Sequence, residues 1–185
     1  MRRILTGQIL LILCCLFYLI WWYRGYRPGD AVSRVGGTNG ILLLITAVLG
    51  VVGLSFSLMR VPETTDPRIN PMGIVAVGIL SYFVLLLITR YAFHRIVTTE
   101  LILIVGWTML EMTVINRLNA AAILSGREFA VMCVVIAAAF LISMVLYVAY
   151  YRMEEMKAFY AAMVPLVTEA VSMMILTGML LTGSR

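Results

Sequence analysis

Two carboxylates are the residues of this chain best suited to do chemistry. Glu111 and Glu169 each interrupt a run of otherwise apolar residues long enough to cross a bilayer. A carboxylate near the bilayer midplane costs about 2.5–3.5 kcal/mol on insertion scales, so its default reading is functional. Desolvation disfavours the ionised form, which a bound proton or a compensating cation relieves. The chemistry open to these acids is therefore binding of a proton, a cation or an amine-bearing solute.

Helical spacing supplies polar company for both, because side chains three and four residues apart share a face. Thr108 accompanies Glu111, with Asn119 two turns further on, while Pro165 and Ser172 accompany Glu169. Pro165 is the only proline in the interior of a span, away from its ends. It removes the hydrogen bond to the Ala161 carbonyl and kinks the helix one turn before Glu169. Freed backbone carbonyl beside a membrane carboxylate is a common construction in transporter sites. Counted from the loops near Thr98 and Lys157, Glu111 lies about 19 Å deep and Glu169 about 16 Å, at 1.5 Å per residue. Matched depth would let the two acids share a site, where like charges a few ångströms apart cannot both ionise easily. Arg117 and Arg90 are the basic side chains that could pair with them. The competing role is structural, a neutral carboxyl donating a hydrogen bond to Thr or Ser on a neighbouring helix.

The elements that must hold these residues follow from composition. Of 185 residues, 63% are hydrophobic and 12% charged, and the mean hydropathy is +1.03, well outside the range of soluble domains. Spanning a hydrocarbon core of about 30 Å takes about 20 apolar residues of helix. Six runs meet that length, at approximately 4–23, 40–59, 70–89, 98–124, 129–151 and 158–182. The expected fold is an all-α membrane protein, a polytopic bundle of six transmembrane helices in one domain, 1–185. A β-barrel would alternate apolar and polar residues, and these runs are continuous. The fourth span is the short one, because 16 residues separate Glu100 from Arg117, about 24 Å of helix. Continuation through Leu118–Leu124 lengthens it, Gly126 ends it, and Arg117 is left inside the protein or snorkelling outward.

Signals at the N-terminus favour an uncleaved first span over a secretory signal. Met1-Arg2-Arg3 precedes a run that is too long and ends in Trp21-Trp22-Tyr23 with no small-residue cleavage site. Cys14, Cys15 and Cys133 are apolar-context thiols that pack as small hydrophobes. Connectors are short. Arg24–Asn39 is a Gly- and Arg-rich loop, Arg60–Met72 carries Pro62, Pro67 and Pro71, and neither resembles a phosphate-cradling loop. Trp21, Trp22 and Tyr23, Tyr147, Tyr150 and Tyr151, and Tyr91 and Phe93 cluster at span ends, as an interfacial belt does. Gly50, Gly53 and Ser57 share one face of the second span and form a close-approach surface for another helix, as Ala137–Ala139 do on the fifth.

Orientation rests on Lys and Arg asymmetry, and here the two sides tie. Arg2, Arg3, Arg60, Arg68, Arg117, Arg127 and Arg185 fall on one side, and Arg24, Arg27, Arg34, Arg90, Arg95, Arg152 and Lys157 on the other. Both termini share a side, taken as cytoplasmic because Arg2 and Arg3 flank the first span, and the membrane is taken as a plasma membrane; a single orientation is the expected arrangement, and dual insertion as an antiparallel dimer also fits a tie. The net charge of +5, spread over all loops, suits lipid headgroups rather than nucleic acid.

Other chemistry is poorly supported. Met residues with Cys133 could ligate Cu(I), but only Met109 and Met112 form a deep pair and the methionines read as packing filler. His94 is the single histidine, too few for bis-histidine haem or a multi-histidine zinc centre. Its neighbours Arg90 and Arg95 make it a headgroup-facing cluster. No metal site and no cofactor is expected. Three functions remain: a small transporter or channel using Glu111 and Glu169; an accessory or substrate-capturing subunit of a larger membrane complex, or a homo-oligomer; and a lipid-modifying enzyme acting beside Arg90, His94 and Arg95, whose weakness is the depth of the acids below the headgroups. Membrane lipids are partners in every case.

Overall fold

Six helices account for most of the described residues in the computed structural model, which describes residues 2–27, 37–59, 65–92, 94, 99–150 and 152–182, with backbone alone for 37–39, 99 and 100. They are α1 (Arg2–Tyr26), α2 (Gly37–Ser57), α3 (Pro71–Leu87), α4 (Thr99–Ala120), α5 (Gly126–Tyr150) and α6 (Glu155–Thr182). No strand occurs among the described residues. α3 runs on into a π-helical turn, Ile88–Ala92, so that the continuous segment Pro71–Ala92 reaches 22 residues. Each helical segment is long and apolar enough to cross a membrane, which makes this an all-α chain of the polytopic membrane class. Arg34, Arg60, Pro62, Phe93, Arg95, Thr98, Tyr151 and Arg185 lie outside the described residues.

The chain divides into two compact units, Met1–Arg60 with Val148–Arg185, and Val61–Tyr147. In the first, α1 packs on α2 and on α6. The buried face of α1 is Ile4, Gly7, Gln8, Leu11 and Cys15, spaced as a single helical stripe. It meets the small-residue face of α2. A methyl group on Gly7 would lie 2.6 Å from the Ser57 nitrogen and 2.9 Å from the Gly53 carbonyl oxygen, and one on Gly53 would lie 2.9 Å from Leu11 Cγ. Gly50, Gly53 and Ser57 thus form the close-approach surface that their spacing predicts, where small residues let two backbones draw near. Polar side chains seal the same seam: Gln8 Nε2 donates to Ser57 Oγ at 3.5 Å and the Cys14 thiol to the Thr46 carbonyl at 3.3 Å. At the other end of α1, Trp22 stacks on Tyr26 at 4.6 Å and faces Phe159 of α6 at 6.4 Å.

The second unit holds α3, α4 and all of α5 but its last residues. α3 opens with Asn70 as its N-cap, the side chain accepting from Met72 N at 3.0 Å, and with Pro71 at the first helical position, where the missing N–H costs nothing. Residues 65–70 are tied to the end of α4. Both the backbone nitrogen and the hydroxyl of Thr65 donate to the Ala120 carbonyl at 3.0 Å. Ile69 N donates to Asn116 Oδ1 at 3.1 Å, and Asn116 Nδ2 donates back to the Ile69 carbonyl at 2.6 Å.

α4 stops four residues short of the expected Leu124. Ala122 adopts a left-handed φ of 54°, while Ile123 N bonds the Leu118 carbonyl at 2.9 Å and Ala122 N that of Asn119 at 3.0 Å. This pairing is a Schellman C-cap, built here on Ala where Gly is usual. Gly126 does not end α4 but begins α5. Ser125 precedes it as the N-cap of a capping box, with Glu128 N donating to Ser125 Oγ at 3.3 Å and Ser125 N donating to Glu128 Oε2 at 2.8 Å. The Arg68 guanidinium lies 5.7 Å from the Phe129 ring centroid, beside Gly126, where any Cβ would collide with it.

Candidate functional site

Glu111 and Glu169 are the only acidic side chains buried among the described residues, at 1% and 4% exposure. Glu111 lies about 18 Å along α4 from Thr99, and Glu169 about 21 Å along α6 from Glu155, at 1.5 Å per residue, so each sits near the middle of its helix. Glu111 belongs to the second unit and Glu169 to the first. Each is embedded in the most deeply buried stripe of its helix. Ile104, Ile115 and Leu118 flank Glu111, and Ala170, Met173, Leu176 and Leu180 flank Glu169, all buried. The helical repeat that buries these apolar neighbours carries the carboxylates inward with them. In such a setting a negative charge is held only by compensation from a cation, a donor or a proton.

The polar neighbours divide by role. On α6 the Ser172 hydroxyl, itself buried, donates to the Glu169 main-chain carbonyl at 2.8 Å, and the Thr168 hydroxyl donates to the Pro165 carbonyl at 2.8 Å. Pro165 lies within the continuous helix Glu155–Thr182. Two hydroxyls thus fold back onto the backbone of the turn that follows the proline, a pattern that bends helices. Glu169, Ser172 and Pro165 form one local group on one helix.

On α4 the Thr108 hydroxyl donates to the Ile104 carbonyl at 2.9 Å. Thr108 also lines a cleft of about 500 Å³ shared by α3, α4 and α5. Asn119 serves the end of the helix, its Nδ2 donating to the Leu124 carbonyl at 2.9 Å. Arg117 is half-buried, and Arg90 is exposed on the π-helical turn. Asn116, which the sequence reading passed over, is 2% exposed and holds the Ile69 peptide from both sides. A signal for it existed: an amide with two donors and an acceptor inside an apolar helix demands partners.

No family model, curated protein or solved structure matches this chain. Function has to be read from the residues themselves. No cluster of three His, Cys, Asp or Glu side chains suited to a metal occurs among the described residues. Met109, Met112 and Cys133, the sulfur groups weighed for Cu(I), do line one cleft, but Met109 lies across Gly78, where a Cβ would collide with its thioether. That contact is helix packing, in which the flexible thioether fills the space glycine leaves.

Proposed function

We propose that this protein is a small multi-pass membrane transporter or channel in which Glu111 and Glu169 bind a proton, a cation or an amine-bearing solute. The observation that carries the reading is the near-complete burial of two carboxylates, each in the middle of a helix of membrane-spanning length. A carboxylate so placed is relieved of its desolvation cost either by a proton or by a bound cation, and exchange between the two would couple proton movement to solute movement. Pro165, inside the helix one turn before Glu169, supports the same reading, since a proline there removes a backbone N–H and leaves a carbonyl beside the acid without its helical donor. The chain resides in a plasma membrane with both termini on the cytoplasmic face, an arrangement that six alternating spans allow.

The test is flux. Protein reconstituted in liposomes with an imposed pH gradient should dissipate that gradient when monovalent cations or methylammonium are added. Glu111→Gln and Glu169→Gln, which keep side-chain size and remove the charge, should each abolish the response in protein that remains folded. Unchanged flux in both single variants would remove the proposal.

A further inference from the structure

The cleft between α3, α4 and α5 has a shape that matters for a protein surrounded by lipid. On α3 its lining runs from Asn70 to Ser81, a rise of about 16 Å at 1.5 Å per residue. α4 contributes Met112 to Val105 and α5 contributes Cys133 to Phe140. Two contacts mark one end: Asn116 on α4 pins Ile69 at the head of α3, and α5 begins at Gly126 beside Arg68. Asn70 therefore marks the polar mouth and Ser81 the deep end. Val77 in the lining is 64% exposed, so the cleft opens sideways.

We infer that this cleft holds one acyl chain of an anionic phospholipid, with its headgroup at Arg68. Three observations converge on that occupant. The length of the cleft matches one leaflet, half of a hydrocarbon core of about 30 Å, which is the reach of a single chain and too short for a transmembrane helix. The lining is almost wholly apolar, as an alkyl chain requires, and a volume of about 500 Å³ falls within the range of small-ligand sites. The mouth adjoins Arg68, an exposed guanidinium held over Phe129 in a segment anchored by Thr65 and Asn116, and a fixed guanidinium suits a phosphate. The inference does not depend on the transport reading, because neither buried glutamate lines the cleft.

Photolabelling tests it. The full chain is placed in nanodiscs with phosphatidylglycerol or phosphatidylcholine of the same chain length, each with a diazirine midway along one chain, and the adducts are mapped by mass spectrometry. The expected result is adducts concentrated at Met112, Cys133 and Phe140, above those at Val134 and Val145 on the exposed face of α5. The enrichment should be greater for phosphatidylglycerol and fall to the phosphatidylcholine level in Arg68→Gln. Ala137→Phe, which fills the cleft, should lose the cleft adducts and keep those at Val134. Equal labelling of cleft and outer-face residues in the unaltered chain overturns the proposal whether or not any variant folds. Equal cleft labelling by the two lipids overturns it as well.

Discussion

Asn116 and Ile69, 47 positions apart, form a closed pair in which the side-chain amide of one meets both peptide groups of the other, at 3.1 and 2.6 Å. The pair joins the last turns of α4 to the segment that starts α3. Replacing Asn116 with Ala leaves a peptide N–H and C=O without their partners, a loss of about 1–3 kcal/mol. The thermal midpoint in detergent should fall, and amide exchange at Ile69 should accelerate relative to Leu118. Unaltered protection at Ile69 would show that the pair does not hold the segment.

Ala122 offers the opposite change. Its φ of 54° is costly for any residue with a Cβ and free for glycine. Ala122→Gly should stabilise the C-cap of α4, by an amount on the order of 1 kcal/mol after the added unfolded-state entropy is subtracted. A raised thermal midpoint checks this, and a lowered one would count against the left-handed cap.

The start of α5 depends on Ser125 and Glu128 acting together. Ser125→Ala should cost about 0.5–2 kcal/mol. Because the box is reciprocal, adding Glu128→Ala should cost less in that background than in the unaltered chain. Additive losses in equilibrium unfolding would mean that the two caps are independent.

Gly7 and Gly178 should respond in opposite directions to the same substitution. Alanine at Gly7 drives a methyl into the Ser57 backbone, whereas at Gly178 nothing lies within 4 Å. Gly7→Ala should therefore destabilise by about 1–3 kcal/mol as α1 and α2 are forced apart. Gly178→Ala should stabilise by about 0.5–1 kcal/mol through helix propensity. Paired denaturation curves decide it, and equal shifts would argue against close packing of α1 on α2.

Pro165→Ala separates stability from function. Alanine restores the N–H that can reach the Ala161 carbonyl and removes the steric conflict of the ring, up to about 3 kcal/mol in favour of a regular helix. If the turn beside Glu169 serves transport, the variant should be at least as stable as the unaltered chain and slower in the liposome assay. A variant equally fast and more stable would assign the proline no part in the activity.

The sequence by itself determined that the chain is all-α and membrane-spanning, and roughly where each helix lies, because span length and continuous hydropathy are local properties of consecutive residues. The small-residue face of α2 was legible for the same reason, since Gly50, Gly53 and Ser57 are spaced by the helical repeat. That both glutamates are buried follows only once the folded chain shows which stripe of each helix is covered. The end of α4 was decided by tertiary structure too. Ala120 and Ala122 look like good helix formers, yet the Ala120 carbonyl is taken by Thr65 from 55 residues away and Ala122 turns left-handed. The role of Asn116 is likewise set by a partner 47 residues off. Hydropathy is summed along the chain, whereas hydrogen-bond partners are chosen in space, and only the folded structure brings such groups within 3 Å of one another.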